Sequence, residues 1–550
     1  MIKIGILLKN FRNLENYELR IIEKIFEDKG LNLSLIILDG RIKSSNPSSF
    51  KSRVNRLLHS KNIIGKLLYN FQYGIEKFIF QKKTTVDKKR ILNLLNKVKK
   101  ISLSPERKGF LDVFSSKDSQ IIKNYNLDVI LRHEYNIIRG DILYAAKYGI
   151  WSFHHGDNAV NRGGPPGFWE IILNEPNIGI TLQQLTPELD GGLIIDKGFS
   201  NRTFSHFLNE KKVYEDSVSI LFKNLNKLKN KEYRTRISKT YYNILYKTPD
   251  FFNFIRYILR FYSYGFNHIV KKIKSKIFKT RYNCWSLFIG KGKFIESTLF
   301  KLKPIIPPKN EFWADPFLIK YLDNIYVFFE NYSYSSKKGK ISCGRVVDNK
   351  IVEISDALNL DYHLSYPFLY QENNNIYMIP EANENKRLEI YKCVNFPNDW
   401  EIYSTAFEGE IISDAHFYND EHNQKWLFLN KRTQNTSVDL ELYIYRVDSI
   451  KLNKIEGHKQ NPVIINSKTA RNGGAIFKHD NNLIRPSQYN ADGVYGKGLN
   501  LNKISTLTLE KYEEICIHRV MPNFHKDLIG VHHLHQLDNL FIIDGCFSKI

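Results

Sequence analysis

The residues of this chain best suited to chemistry are crowded between Gly149 and Gly198. His154 and His155 follow a short β-prone run, Gly149 to Phe153, and Asn158, Arg162 and Gly163 come next. Asp190 comes after a second β-prone run, Ile178 to Leu185, and a turn built on Pro187. A histidine can give or take a proton near neutral pH, and a nearby carboxylate can orient it. In open parallel sheets ligands bind beyond the carboxyl ends of the strands. A His and an Asp delivered there by neighbouring strands are placed for proton transfer. Singly, His154 would do no more than cap a strand end and Asp190 would favour a turn; their order together points to a site.

The segment resembles the catalytic core of the formyltransferase family that uses N10-formyltetrahydrofolate. Arg162-Gly163 matches the family's Arg-Gly, and His154 then falls on its histidine. Gly179-Ile180-Thr181 matches its Gly-Val-Thr, and Leu189-Asp190-Gly191-Gly192 its aspartate turn. The resemblance covers roughly the first 200 residues. It implies N10-formyltetrahydrofolate as cofactor and transfer of formyl to the amine of an amino sugar, nucleotide-linked or in a surface glycan. On that reading His154 stabilises the oxyanion and shuttles a proton, and Asp190 keeps His154 productive. Arg162 and Gly163 bind substrate. Ser152 stands where the family has Asn, so Ser152 and Asn158 become the candidate additional donors. Such donors are each worth about 3–4 kcal/mol in acyl transfer.

The elements that would position these groups alternate. Met1 to Leu8, Leu31 to Leu38 and Leu127 to Leu131 are β-prone, with helical patterns over Glu15 to Lys29 and Asp141 to Tyr148. Such alternation predicts a Rossmann-like α/β domain over residues 1–204, with a mainly parallel sheet. No Gly-x-Gly-x-x-Gly loop is present. Residues 41–100 are basic and Ser-rich and read as an insertion. Residues 205–282 form a basic helical linker, in which Lys and Arg alternate with aromatic and aliphatic residues between Phe251 and Phe278. That pattern fits peripheral contact with an anionic membrane through 251–280, and equally a helix packing its aromatic side on a neighbouring domain.

From residue 311 the chain repeats itself every 50 to 60 residues. Asp315-Pro316-Phe317-Leu318, Tyr366-Pro367-Phe368-Leu369, Asp414-Ala415-His416-Phe417, Gly474-Ala475-Ile476-Phe477 and His533-Leu534-His535-Gln536 each precede a β-prone run. Five such units predict a five-bladed β-propeller over 283–550, with Trp285 to Ile289 closing the last blade. Its inner strands begin at Asp315, His363, Asp414, Arg471 and His532 or His533. Its second strands end at Glu330, Glu381, Arg485 with Gln488, and Asp544. Acids, bases and amides converging on one axis suit a polar, carbohydrate-like ligand, with Asp315, Glu381, Asp414, Arg471, Arg485 and Gln488 as binding candidates. This half resembles the propeller domain that precedes the transferase module of glucosamine inositolphosphorylceramide transferases. The resemblance rests on phrases such as Trp313-Ala314-Asp315-Pro316-Phe317 and Ile484-Arg485-Pro486-Ser487-Gln488. More distantly the half resembles five-bladed glycosidases.

Composition bounds the rest. The net charge of +24 accompanies a chain rich in Lys, Asn and Ile throughout, so it reads as compositional bias with a preference for anionic partners. No zinc-finger, RNP-type or helix-turn-helix signature supports sequence-specific nucleic-acid binding. The five cysteines are scattered without metal-ligand spacing, so no metal is expected. The N-terminus reads as a buried strand rather than a signal peptide, and no apolar run is long enough to span a bilayer, which predicts a cytoplasmic protein, peripheral to the membrane at most. Amino-sugar formyl transfer is the main reading. Its alternatives are a propeller-based glycosidase or glycosyltransferase using Asp315, Asp414 and Glu381 as carboxylates, and a non-enzymatic glycan binder with a degenerate first domain.

Overall fold

The computed structural model describes residues 1–11, 14–41, 62–82, 86–188, 192–233, 241–278, 282–433 and 436–549. Asp190 and most of the 41–61 stretch lie outside them. The chain divides into two compact units, Met1–Ser263 and Tyr264–Ile550.

In the first unit, β1 (Ile2–Leu8), β2 (Leu31–Asp39), β3 (Lys100–Leu103), β4 (Val129–Arg132), β5 (Ile150–His154), β6 (Asn177–Gln184) and β7 (Leu193–Asn201) form one sheet in the order β7-β6-β5-β4-β1-β2-β3. The pairs from β5 through β4 and β1 to β3 are parallel. The near-continuous apolar runs of β1 and β2 are buried on both faces, as parallel strands require. β6 and β7 are antiparallel to their neighbours, with Trp151 opposite Gln184 and His154 opposite Thr181. Neighbouring antiparallel strands end at opposite edges of the sheet. The neighbour of β5 is therefore antiparallel rather than parallel: β6 leaves the sheet at Gln184, beside Trp151, and where Asp190 lies beyond it falls outside the described residues.

Four helices matter here: α1 (Asn16–Glu27), α2 (Ile63–Phe80), α3 (His206–Lys229) and α4 (Phe251–Phe278). α3, read from sequence as part of a linker, buries Val213, Ile220, Leu221 and Leu225 and packs on β6 and β7 within the first unit. Glu76 of α2 is the hub that joins α2, α3 and α4. It is buried, accepts hydrogen bonds from Ser205 Oγ (2.6 Å), the Phe207 N–H (3.1 Å) and Gln72 Nε2 (3.1 Å), and takes the Tyr257 hydroxyl of α4. Glu76→Ala would strand several of these donors in the interior. We expect a loss of about 2–3 kcal/mol, measured by thermal unfolding.

The second unit is a series of five antiparallel sheets. The first four each use four successive main strands, beginning at Glu311–Tyr321, Ser365–Glu372, Ile411–Asn419 and Phe477–His479. The fifth joins the two ends of the unit: Cys284–Lys291 pairs antiparallel with Leu540–Phe547, with Trp285 opposite Cys546. Each sheet buries an apolar layer against the next. Phe328 and Ile341 meet Ile376 and Met378, Phe368 and Ile379 meet Ile412 and Leu427, and Trp426 and Phe428 meet Ile504 and Tyr512. Ile484 and Leu501 then meet Phe541 and Ile543, and Leu287 and Ile542 return to Trp313 and Val327. Five interfaces thus link five sheets, the last back to the first. Among the described residues, no helix of the protein is long and apolar enough to cross a membrane.

Candidate functional site

In the first three sheets of the second unit the innermost strand breaks register at the same place. The shift falls between Ala314 and Phe317, between Ser365 and Phe368, and between Ser413 and His416. The bulging residues Asp315, Tyr366 and Asp414 have φ of +50°, +47° and +48°. Left-handed backbone costs a side-chain-bearing residue about 1–2 kcal/mol, and for a bulky Tyr it is a genuine outlier. Strain repeated in three sheets, each time aiming a polar side chain the same way, marks a site. The residue before each bulge pairs with Glu330, Glu381 and Asn430 in turn, so the second strands bring further polar groups beside the first.

These side chains form one buried polar cluster. Arg471 Nε lies 2.6 Å from Asp414 Oδ2 and its Nη2 lies 3.3 Å from Glu381 Oε2, while the guanidinium sits 4.9 Å above the Tyr495 ring. Gln488 Nε2 donates to the Tyr495 hydroxyl (3.3 Å), leaving its buried Oε1 without a protein partner. Asp544 Oδ1 accepts the backbone N–H groups of His532 (3.0 Å) and His533 (2.9 Å), and its Oδ2 lies 2.5 Å from His532 Nδ1. His532 in turn stacks on Trp285 with ring centroids 3.9 Å apart. Asp315 Oδ1 lies 3.6 Å from both His532 Nε2 and His533 Nδ1.

Electrostatics divides the acids. Burial works to raise the Asp315 carboxyl, but the charges of His532 and His533 prevail and hold it at about 2. Glu381 is pushed well above the carboxylate range by burial and by the neighbouring Asp414, which together outweigh Arg471. Glu330 is raised likewise, by burial and by Asp315. Neighbouring carboxyls are thus driven in opposite directions, Asp315 down and Glu381 and Glu330 up, the kind of separation that acid–base chemistry uses.

Of the residues singled out in sequence for this half, the structure brings Asp315, Glu381, Asp414, Arg471 and Gln488 together and leaves Arg485 out. Arg485 is fully buried on Glu514 (2.6 and 2.7 Å) and Asn472 Oδ1 (2.9 Å), a structural pair away from the cluster. His363 precedes its strand, and its Nδ1 accepts the Gly339 N–H (2.8 Å); Tyr366 occupies the position expected of it. The Tyr366 hydroxyl takes a hydrogen bond from the backbone of Gly474 and lies 3.5 Å from His416 Nδ1. Its signal in sequence was the phrase Tyr366-Pro367-Phe368, aligned with Asp315-Pro316-Phe317.

In the first unit the candidates are engaged by the fold itself. His154 Nε2 lies 2.7 Å from the Asn161 carbonyl. The Ser152 hydroxyl accepts from Arg132 Nη1 (2.8 Å), and Asn158 is buried. Arg162 Nη1 donates to the Asn243 carbonyl (3.2 Å), and a side chain at Gly163 would strike the Tyr246 carbonyl. The chain's own 243–247 segment thus covers the Arg-Gly pair.

The described residues therefore comprise an α/β unit with a mostly parallel sheet and a second unit of antiparallel sheets that holds a carboxylate–histidine cluster. Residues 305–544 match the family described as "Glucosamine inositolphosphorylceramide transferase 1, N-terminal". The chain is similar to glucosamine inositolphosphorylceramide transferase 1 of Oryza sativa subsp. indica, 35% identical over 217 residues, 38% of this chain and 28% of that protein. It thus spans little more than a quarter of that relative's length. Similar solved structures include a 4-N formyltransferase from Francisella tularensis (16% identity, 44% of this chain and 75% of that one, TM-score 0.27). An alpha-L-arabinofuranosidase from Lactobacillus brevis is another (12% identity, 43% and 84%, TM-score 0.33). TM-scores this low carry no functional weight. The curated relatives are glucosamine inositolphosphorylceramide transferases, not formyltransferases, which overturns formyl transfer to an amino sugar as the function of this chain.

Proposed function

We propose that the second unit is a five-bladed β-propeller whose axial cluster binds a glycosyl unit and makes or breaks a glycosidic bond. The observation that carries this reading is the convergence of Asp315, Glu381 and Asp414 with Arg471, His532 and His533 in one buried cluster. Glycosidic chemistry uses a pair of carboxyl groups. Glu381 gives its proton to the departing oxygen as the bond to the anomeric carbon breaks. Asp315 takes the proton of the incoming water or acceptor hydroxyl as the new carbon–oxygen bond forms. Arg471, fixed by Asp414, holds Glu381 in place. The Trp285–His532 stack and the unpartnered Gln488 Oε1 supply an aromatic face and an acceptor for sugar hydroxyls. The similarity to transferases named for glucosamine and inositolphosphorylceramide supports a sugar donor and an inositol-phosphate lipid acceptor, and the net charge of +24 favours anionic forms of either.

The test is incubation of the purified protein with aryl glycosides, and with nucleotide-sugar donors plus an inositolphosphorylceramide acceptor. Mass spectrometry follows glycosyl release or transfer, and calorimetry follows binding. Turnover with any donor supports the reading. Sugar binding without turnover across the panel makes the cluster a recognition site, and neither binding nor turnover makes it structural.

A further inference from the structure

A second observation, independent of the axial cluster, concerns α2 and α4. They run side by side: Asn62 Nδ2 donates to the Pro249 carbonyl (2.7 Å) at one end, Tyr262 bonds Gln72 (3.2 Å) midway, and Phe80 meets Phe261 at the other. The inner face of α4 is Phe254, Tyr257 and Phe261, buried against Leu68, Tyr69, Phe80 and Phe168. The helix packing expected from sequence is therefore real, and it consumes only these residues. A different set remains outside. Phe252, Ile255, Leu259, Tyr262, Phe266, Ile269 and Ile273 recur at alternating three- and four-residue steps along α4 and are all exposed, Leu259 by 63% and Phe266 by 67%. On α2, Ile64, Leu67, Phe71 and Phe78 form a similar outward row, with Phe71 exposed by 70% and Phe78 by 91%.

Charge says what covers this surface. No acidic residue occurs between 251 and 263, where Arg256 is exposed. The one acid of α2, Glu76, is buried, whereas Lys66 and Lys77 are exposed. Asp250 stands at the start of α4, where its carboxylate accepts the Asn253 N–H (2.8 Å). A second copy of the same surface would set cation against cation. An anionic bilayer offers apolar chains to the aromatic and aliphatic rows and phosphates to the lysines.

We propose that the outward faces of α2 and α4 dock on an anionic lipid surface, lying in the interface without crossing it. The test uses the full chain, flotation with phosphatidylcholine vesicles with and without phosphatidylserine, and light scattering without lipid. Binding should require phosphatidylserine and weaken as salt is raised. Leu259→Glu and Phe252→Glu should each lower vesicle affinity by about tenfold or more, and Lys66→Glu with Lys77→Glu should reduce the salt-sensitive part. The exposed positions leave the melting temperature unchanged, which checks folding. Binding indifferent to phosphatidylserine or to these substitutions overturns the proposal. So does a lipid-free dimer dispersed by Leu259→Glu, which would assign the face to a second copy.

Discussion

Asp315→Asn and Glu381→Gln should each lower glycosyl turnover by about a hundredfold to ten-thousandfold while sugar binding stays within a few-fold. Both changes keep the side chain's size and remove only its role in moving a proton. The pH profile of the unsubstituted protein separates the roles. Asp315, held at about 2 by His532 and His533 against the effect of burial, stays ionised through the acid range, so turnover should not fall on that side until well below pH 4. Glu381, raised by burial and by Asp414, must be protonated to act, so the alkaline limb belongs to it and lies above the ordinary carboxylate range. Glu381→Gln should erase that limb along with most of the rate. A limb that persists unchanged in Glu381→Gln removes this residue as the acid.

Arg471→Met should be the most damaging single change to stability. Arg471 is the cation shared by Asp414 and Glu381, and all three are buried. Removing one member of a buried ionic group leaves the others uncompensated, at about 3–5 kcal/mol. For a unit of this size that is a fall of about 10 °C in melting temperature. The lost charge pairing should make the gap from the unsubstituted protein depend on pH. Melts followed by tryptophan fluorescence at several pH values measure it. A gap independent of pH would mean that Arg471 matters through packing rather than charge.

How much of this was legible in the sequence depends on the feature. The repeated Asp-Pro-Phe and Tyr-Pro-Phe phrases gave away the series of sheets, because each sheet meets the same steric demand at its innermost strand. The pairing of Cys284–Lys291 with the last strand was also readable, since the final repeat runs short of strands. Of the cluster, Asp315, Glu381, Asp414, Arg471 and Gln488 were foreseen. Arg485 was misassigned for a reason of parity: it lies three residues before Gln488 in one strand, and such residues face opposite sides of a sheet. The left-handed backbone at Tyr366 had no sequence signal beyond alignment, for tyrosine seldom adopts it. In the first unit the direction of the strand after His154 was not legible, since residue patterns do not encode it. The antiparallel return of β6 depends on pairing between distant segments.

The joining of Cys284–Lys291 to Leu540–Phe547 has a consequence for how the protein is made. During synthesis the early sheets can form as they leave the ribosome, but Cys284–Lys291 waits for its partner until Leu540–Phe547 has been translated. His532, His533 and Asp544 arrive in that same final stretch, so the charges that hold Asp315 ionised are the last to reach it. A nascent chain stalled short of residue 540 would therefore present an unpaired strand edge at Cys284–Lys291 and lack Asp544, which makes it a substrate for chaperones. Assembly of the site is thereby tied to the pairing of Cys284–Lys291 with Leu540–Phe547.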